Sequence, residues 1–186
     1  MTVVILFLLS NPDIKHLMND QHPYTVIVMG LPGSGKTFLA RQLAPVLGAA
    51  HISSDQVRDQ YQLRGKYTLR EKQRVYQHML EQAAPHLQGG QSVLLDGTFH
   101  LRRFRQLVED FTTAYDCRLF CIEVTADEDA IRQRTAKPRP NSEADYNVYK
   151  LLKQQYEPLQ KPHLQLNSSK QSIDQMIQTA RDYLLQ

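Results

Sequence analysis

A short run rich in β-branched residues, Tyr24 to Met29, leads directly into Gly30-Leu31-Pro32-Gly33-Ser34-Gly35-Lys36-Thr37. Helical periodicity follows at once, with Phe38, Leu39, Leu43, Val46 and Leu47 on one side. No other feature of the chain constrains its fold as tightly. Glycines let the backbone curl until successive N–H groups converge on a phosphate, and the helix behind them adds its positive N-terminal end. The spacing Gly-x-x-x-x-Gly-Lys-Thr is a complete Walker A motif in its confirming strand–loop–helix context. Lys36 then serves the β- and γ-phosphates of a nucleotide, and the Thr37 hydroxyl is a Mg²⁺ ligand.

The rest of the chain alternates in the same way, short apolar runs with amphipathic stretches, as a βαβ array with a parallel sheet requires. Further strands are expected at Ala50–Ser53, Ser92–Leu95, Arg118–Val124 and His163–Leu166. Capping boxes mark helix starts at Thr68 (with Glu71) and Ser172 (with Gln175), and Thr125-Ala-Asp-Glu128 is read as another cap. Another helix is expected from about Ser142 to Tyr156. Five strands with helices between them make one doubly wound α/β domain, which suits 186 residues of 41% hydrophobic and 22% charged composition. The net charge of +3 falls short of a nucleic-acid footprint. The two cysteines, Cys117 and Cys121, lie in an apolar strand and read as small buried hydrophobes. Residues 1–22 form an N-terminal extension to a domain spanning 23–186. Its apolar stretch Thr2–Leu9 is too short to span a membrane, so no stable membrane association is expected. The extension reads as an added element packed on the domain, a weak membrane-associating tail, or sequence upstream of the true start. A cytoplasmic location is expected.

Sites in parallel sheets lie at the carboxyl ends of the strands, so the polar residues there carry the chemistry. Asp55 follows the second strand and can accept the proton of an attacking hydroxyl. Arg58, one helical turn on, can hold an acceptor phosphate or stabilise transferred charge. Asp96 ends the third strand, as a carboxylate that orders Mg²⁺ does. Arg132, Arg134 and Arg139 flank the break at Lys137-Pro138 and fit a basic lid over a triphosphate, Arg134 first among them. Arg102, Arg103 and Arg105 are read as an exposed helix face or as contacts to an acidic acceptor. Phe99 and Tyr61 are the only aromatics placed to stack on a base, which argues against tight single-strand binding.

Together these residues resemble a family of small P-loop kinases classed as AAA, related to polynucleotide 5′-hydroxyl kinases and zeta-toxin-type kinases. The resemblance rests on the Walker A motif, Ser53-Ser54-Asp55-Gln56-Val57-Arg58, Val93-Leu94-Leu95-Asp96-Gly97-Thr98, and the arginine-bearing lid followed by Tyr156-Glu157-Pro158. It covers roughly Tyr24 to Gln186. It implies a three-layer P-loop NTPase fold with a five-stranded parallel sheet of order 2-3-1-4-5, a small lid, and Mg-ATP as donor. The nucleotide set is Gly30, Pro32, Gly33, Ser34, Gly35, Lys36, Thr37 and Phe38 with Arg134. The metal set is Thr37 and Asp96, and the catalytic set is Lys36, Asp55, Arg58 and Arg134. The expected activity is transfer of the γ-phosphate to a hydroxyl on a polynucleotide 5′ end or a small molecule. The alternatives are a nucleotide-binding switch or assembly module and a plain NTPase. A GTPase-type base-recognition motif (Asn-Lys-x-Asp) is absent from the sequence.

Overall fold

The computed structural model describes residues 22–136 and 144–185. The N-terminal extension through residue 21, most of the expected lid break and Arg139 therefore lie outside the described residues.

Five parallel strands form one sheet: β1 (Tyr24–Met29), β2 (Ala50–Ser53), β3 (Val93–Gly97), β4 (Arg118–Thr125) and β5 (Leu164–Asn167). Their spatial order is β2-β3-β1-β4-β5, the order the resemblance implies. The helices are α1 (Lys36–Val46), α2 (Ser54–Gln60), α3 (Leu69–Gln88), α4 (Arg102–Ala114), α5 (Glu128–Thr135), α6 (Tyr146–Gln154) and α7 (Ile173–Leu184). Alternation along β1 feeds two cores. Val26 and Val28 face α1 and α7, packing with Leu39, Leu43, Met176 and Ala180. Ile27 and Met29 face α3 and α4, packing with Val75, Met79, Phe104 and Val108. This double burial explains why β1 reads as a continuous rather than an alternating apolar run.

Both full capping boxes form, Thr68 with Glu71 and Ser172 with Gln175. The expected cap at Thr125 does not. The N-cap of α5 is Asp127, without a side-chain cap bond, while the Thr125 hydroxyl donates to the Leu166 carbonyl at 3.1 Å. Thr125 is the last residue of β4, paired with Asn167, so a tertiary hydrogen bond claims the hydroxyl. Other elements shift slightly: β3 runs on to Gly97, β5 spans Leu164–Asn167 rather than His163–Leu166, and α6 starts at Tyr146. Cys117 and Cys121 are free thiols. Burial pushes the Cys121 thiol up to about 11. Among the described residues no helix is long and apolar enough to cross a membrane.

The loop after β3 and the segment after α6 are tied together. Arg105, in the first turn of α4, is buried rather than on an exposed helix face. Its guanidinium donates to the Phe99 and Glu157 carbonyls, both at 2.8 Å. The Glu157 N–H donates to the His100 carbonyl at 2.9 Å. Tyr156 donates to buried Glu123, which also accepts from Gln165 Nε2 at 2.9 Å. The Tyr156-Glu157-Pro158 stretch is thus pinned to the sheet and to the loop that follows Asp96. Replacing Arg105 by Ala should destabilise the protein by about 3 kcal/mol, because it orphans buried carbonyls. Arg102→Ala on the exposed face should cost less than about 0.5 kcal/mol. Urea unfolding of both variants measures the difference.

Candidate active site

The P-loop takes the form its glycines permit. Gly30 leaves β1 at φ 153°, where a Cβ would lie 2.3 Å from the Val124 carbonyl oxygen and 2.6 Å from Ser34 Oγ. Gly35 caps α1 in the left-handed region at φ 93°. The loop is braced from outside. Arg134 Nη1 donates to the Gly33 carbonyl at 3.1 Å and to Ser168 Oγ at 2.8 Å. Ser168 Oγ in turn donates to the Ser34 carbonyl at 2.6 Å. α5 and the β5–α7 turn therefore meet at the P-loop through one arginine and one serine. Ser168 went unnoticed in the sequence, since nothing local marks a serine 134 positions away as a partner of Ser34.

Strand register brings the other candidates to the same edge. Asp96 pairs with Val28 of β1 on one side and Ser53 of β2 on the other. The Thr37 hydroxyl donates to Asp96 Oδ1 at 3.2 Å. Asp96 is 1% exposed, and its Oδ2 has no hydrogen-bond partner, lying 3.6 Å from His51 Nε2. A buried carboxylate with one oxygen on a threonine hydroxyl and the other unsatisfied fits a hydrated divalent cation at the P-loop. Thr37 and Asp96 are the oxygen donors that would hold it.

A cavity of about 620 Å³ opens beside the loop. Lys36 and Pro32 line it from the P-loop, Asp55 and Arg58 from α2, and Thr98, His100 and Arg103 from the segment after β3. Tyr67, Leu69, Lys72 and Tyr76 line it as well, and α6 contributes Val148, Leu151 and Leu152. Arg58 is held firmly. It donates to the Lys66 carbonyl at 2.9 Å and its guanidinium lies 4.7 Å from the centre of the Tyr67 ring. Lys36, Asp55 and Arg58 thus share one chamber. Arg134 lies outside it, behind the P-loop, and Phe38 is 58% exposed on α1. The Arg132 guanidinium packs over Tyr146, 4.7 Å from the ring centre.

Phe99 does not offer a stacking face. It is fully buried, its ring 4.5 Å from Tyr76, and its backbone sits at φ 46°. A phenylalanine in the left-handed region is costly. It is held there by Tyr76, whose hydroxyl accepts from the Phe99 N–H at 3.0 Å, and by Arg105 on the Phe99 carbonyl. The strained turn delivers His100 to the cavity wall. Tyr61 stacks on His78 instead, with centroids 3.8 Å apart.

His100 and Lys72 also line this wall, and neither stands out in the sequence. Burial pushes the His100 imidazole down to about 4, aided by Lys72 and Arg105 and opposed by Glu157. The Lys72 ammonium is lowered by burial and then by Arg58.

The chain matches the AAA domain family over residues 26–159 and belongs to it. Its architecture is that of the P-loop kinases. The Mycobacterium tuberculosis APS kinase, in complex with AMPPNP and APS, superposes with a TM-score of 0.69 at 19% identity, covering 89% of this chain and 99% of that one. A sugar kinase from a Janibacter species gives 0.68 at 18% identity, covering 87% and 94%. A gluconokinase from Sinorhizobium meliloti 1021 gives 0.66 at 15% identity, covering 89% and 95%. No curated protein sequence matches the chain.

A histidine with a folded pKa near 4 against an ordinary 6.5 leaves the unfolded chain binding more protons between those values. Its contribution to stability therefore falls as the pH drops from 6.5 towards 4, on the order of 3 kcal/mol across that window. The stability–pH curve of His100→Gln should be flatter than the wild-type curve there, as measured by urea unfolding at successive pH values.

Proposed function

We propose that the protein is an ATP-dependent kinase that transfers the γ-phosphate of Mg-ATP to a hydroxyl acceptor. The observation that carries this reading is the shared chamber: the P-loop lysine and the Asp55–Arg58 pair line one cavity. A switch module has no need of a carboxylate and an arginine facing the phosphate lysine across space for a second ligand.

The roles follow from position. The P-loop, Gly30 to Phe38, holds the nucleotide phosphates on its N–H groups and the start of α1. Lys36 holds the β- and γ-phosphates and neutralises charge as it develops on them. Thr37 and Asp96 are the proposed holders of Mg²⁺, which when bound neutralises phosphate charge and fixes phosphate geometry. Asp55 takes the proton of the acceptor hydroxyl as its oxygen bonds to the γ-phosphorus. The bond from that phosphorus to the β,γ-bridging oxygen breaks, and ADP leaves. Arg58, clamped by Lys66 and Tyr67, faces the transferred group or an acceptor anion with little entropy left to lose. Arg134 acts from the nucleotide side, where its brace on Gly33 and Ser168 holds the loop in shape. The volume, about 620 Å³, suits a small acceptor better than a polynucleotide end. Among the described residues the wall offers one exposed aromatic, Tyr67, and no pair of them on which bases would stack.

The test is transfer from γ-³²P-ATP with Mg²⁺ to a panel of nucleosides, polyols, sugar acids, sugar phosphates and 5′-hydroxyl oligonucleotides. At least one acceptor should be labelled. Asp55→Asn should lower kcat by about 10²- to 10⁴-fold while ATP still binds. ATP binding with no labelled acceptor, and hydrolysis indifferent to Asp55→Asn, would favour the switch reading.

A further inference from the structure

The cavity wall is unbalanced in charge. Among the described residues, and apart from Lys36, which belongs to the nucleotide, it presents three cations, Arg58, Lys72 and Arg103, against the single carboxylate of Asp55. Lys72 and Arg103 form no salt bridge among the described residues. Lys72 projects from α3 and Arg103 from the first turn of α4, so two separate elements deliver charge to one wall. His100 lines the same cavity, 2% exposed, with neither ring nitrogen hydrogen-bonded. A buried imidazole normally satisfies at least one nitrogen. Here both are unsatisfied and shut off from solvent just behind the chamber wall that His100 helps to line, and the strained Phe99 turn holds them there. The partly buried Lys72 and Arg58 and the unsatisfied imidazole are together costly in the free protein and are relieved by an anionic, hydrogen-bonding ligand, with Arg103 exposed beside them.

The rim of the cavity differs in character. Tyr67, Leu69, Val148 and Leu151 are four of the seven large hydrophobics left exposed among the described residues, and all four line this cavity. Apolar surface concentrated at one rim marks a binding face, here one that would cover the carbon skeleton of a small molecule.

We propose that the acceptor is a small molecule that carries an anionic group (phosphate, sulfate or carboxylate) in addition to its reactive hydroxyl. Lys72 and Arg103 receive that anion together with Arg58, and His100 hydrogen-bonds the acceptor. This deepens the kinase reading and rests on it only for calling the ligand an acceptor. The anion subsite can be observed without turnover. Charge is set on both sides of the chamber: Lys36 binds the donor phosphates, and the Lys72–Arg103 side draws the acceptor so that its hydroxyl faces Asp55. A neutral polyol would leave the three cations facing one carboxylate.

The test fills the P-loop with Mg-AMPPNP, so that it cannot compete, and titrates the full chain with inorganic sulfate at constant ionic strength. Binding is read by calorimetry and by the His100 ring resonances in NMR. The expected result is saturable sulfate binding that moves the His100 resonances and raises the pH at which that ring titrates. Lys72→Gln and Arg103→Gln should each weaken it about tenfold, and Lys72→Arg should restore most of the loss. Sorbitol should move nothing. Sulfate that leaves His100 unmoved, or that binds the two glutamine variants as it binds the wild type, overturns the inference. Turnover separates the two readings. Sulfate binding as expected with no acceptor phosphorylated would leave the subsite and remove the kinase. A neutral polyol phosphorylated with a lower KM than its phosphate or carboxylate counterpart would leave the kinase and remove the subsite.

Discussion

Gly30 turns the chain off β1 against the Val124 carbonyl, in a space where even a methyl group would come within 2.3 Å of backbone oxygen. From that one close approach the rest of the site is set. The P-loop can lie down over the sheet edge only because β1 and β4 run this close behind it. α1 then begins at Gly35, with Lys36 and Thr37 in its first turn. The same central position of β1, between β3 and β4, puts Asp96 within hydrogen-bond distance of Thr37. Parallel pairing in register converts residues far apart in sequence into one line along the carboxyl edge: Ser53, Asp96 and Val28.

The chamber beside the loop is built from two kinds of support. On the nucleotide side the brace is polar and external, Arg134 and Ser168 gripping P-loop carbonyls. On the proposed acceptor side it is internal. Tyr76 and Arg105 hold Phe99 in a left-handed turn, and Arg105 with Glu157 ties that turn to the end of α6. Strain is tolerated where surrounding contacts over-determine it, and here it orients His100 and Thr98 towards the cavity. The donor side and the proposed acceptor side are thereby both pre-shaped in the free protein, which lowers the ordering cost of binding.

Much of this was legible in the sequence because it is local. The Walker A motif and the capping boxes at Thr68 and Ser172 depend on residues a few positions apart, and the strand order came with the family resemblance. Asp55, Arg58 and Asp96 were legible for a related reason, since the end of a strand is a local feature and the ends converge in a parallel sheet. What failed was long-range. Arg105 shows helical spacing suited to an exposed face, yet the Phe99 carbonyl and, from a distant segment, the Glu157 carbonyl internalise it. Phe99 looked like a stacking platform, but Tyr76 and Phe104 bury it. The Thr125 hydroxyl, expected to cap α5, is taken by Leu166 across the β4–β5 pair. Lys72 resembles any helix lysine, and His100 any loop histidine, until α3 and the turn after β3 bring them to the same wall.

The central claim is that the donor phosphate and the acceptor meet in the chamber shared by Lys36, Asp55 and Arg58. A crystal structure of the protein with Mg²⁺ and AMPPNP tests it most directly. The account predicts the γ-phosphate on Lys36, the metal contacted by Thr37 with Asp96 ordering it directly or through water, and the open face of the γ-phosphorus turned into the cavity towards Asp55. A γ-phosphate turned away from Asp55, or a nucleotide whose terminal phosphate is sealed off from the cavity, would contradict it.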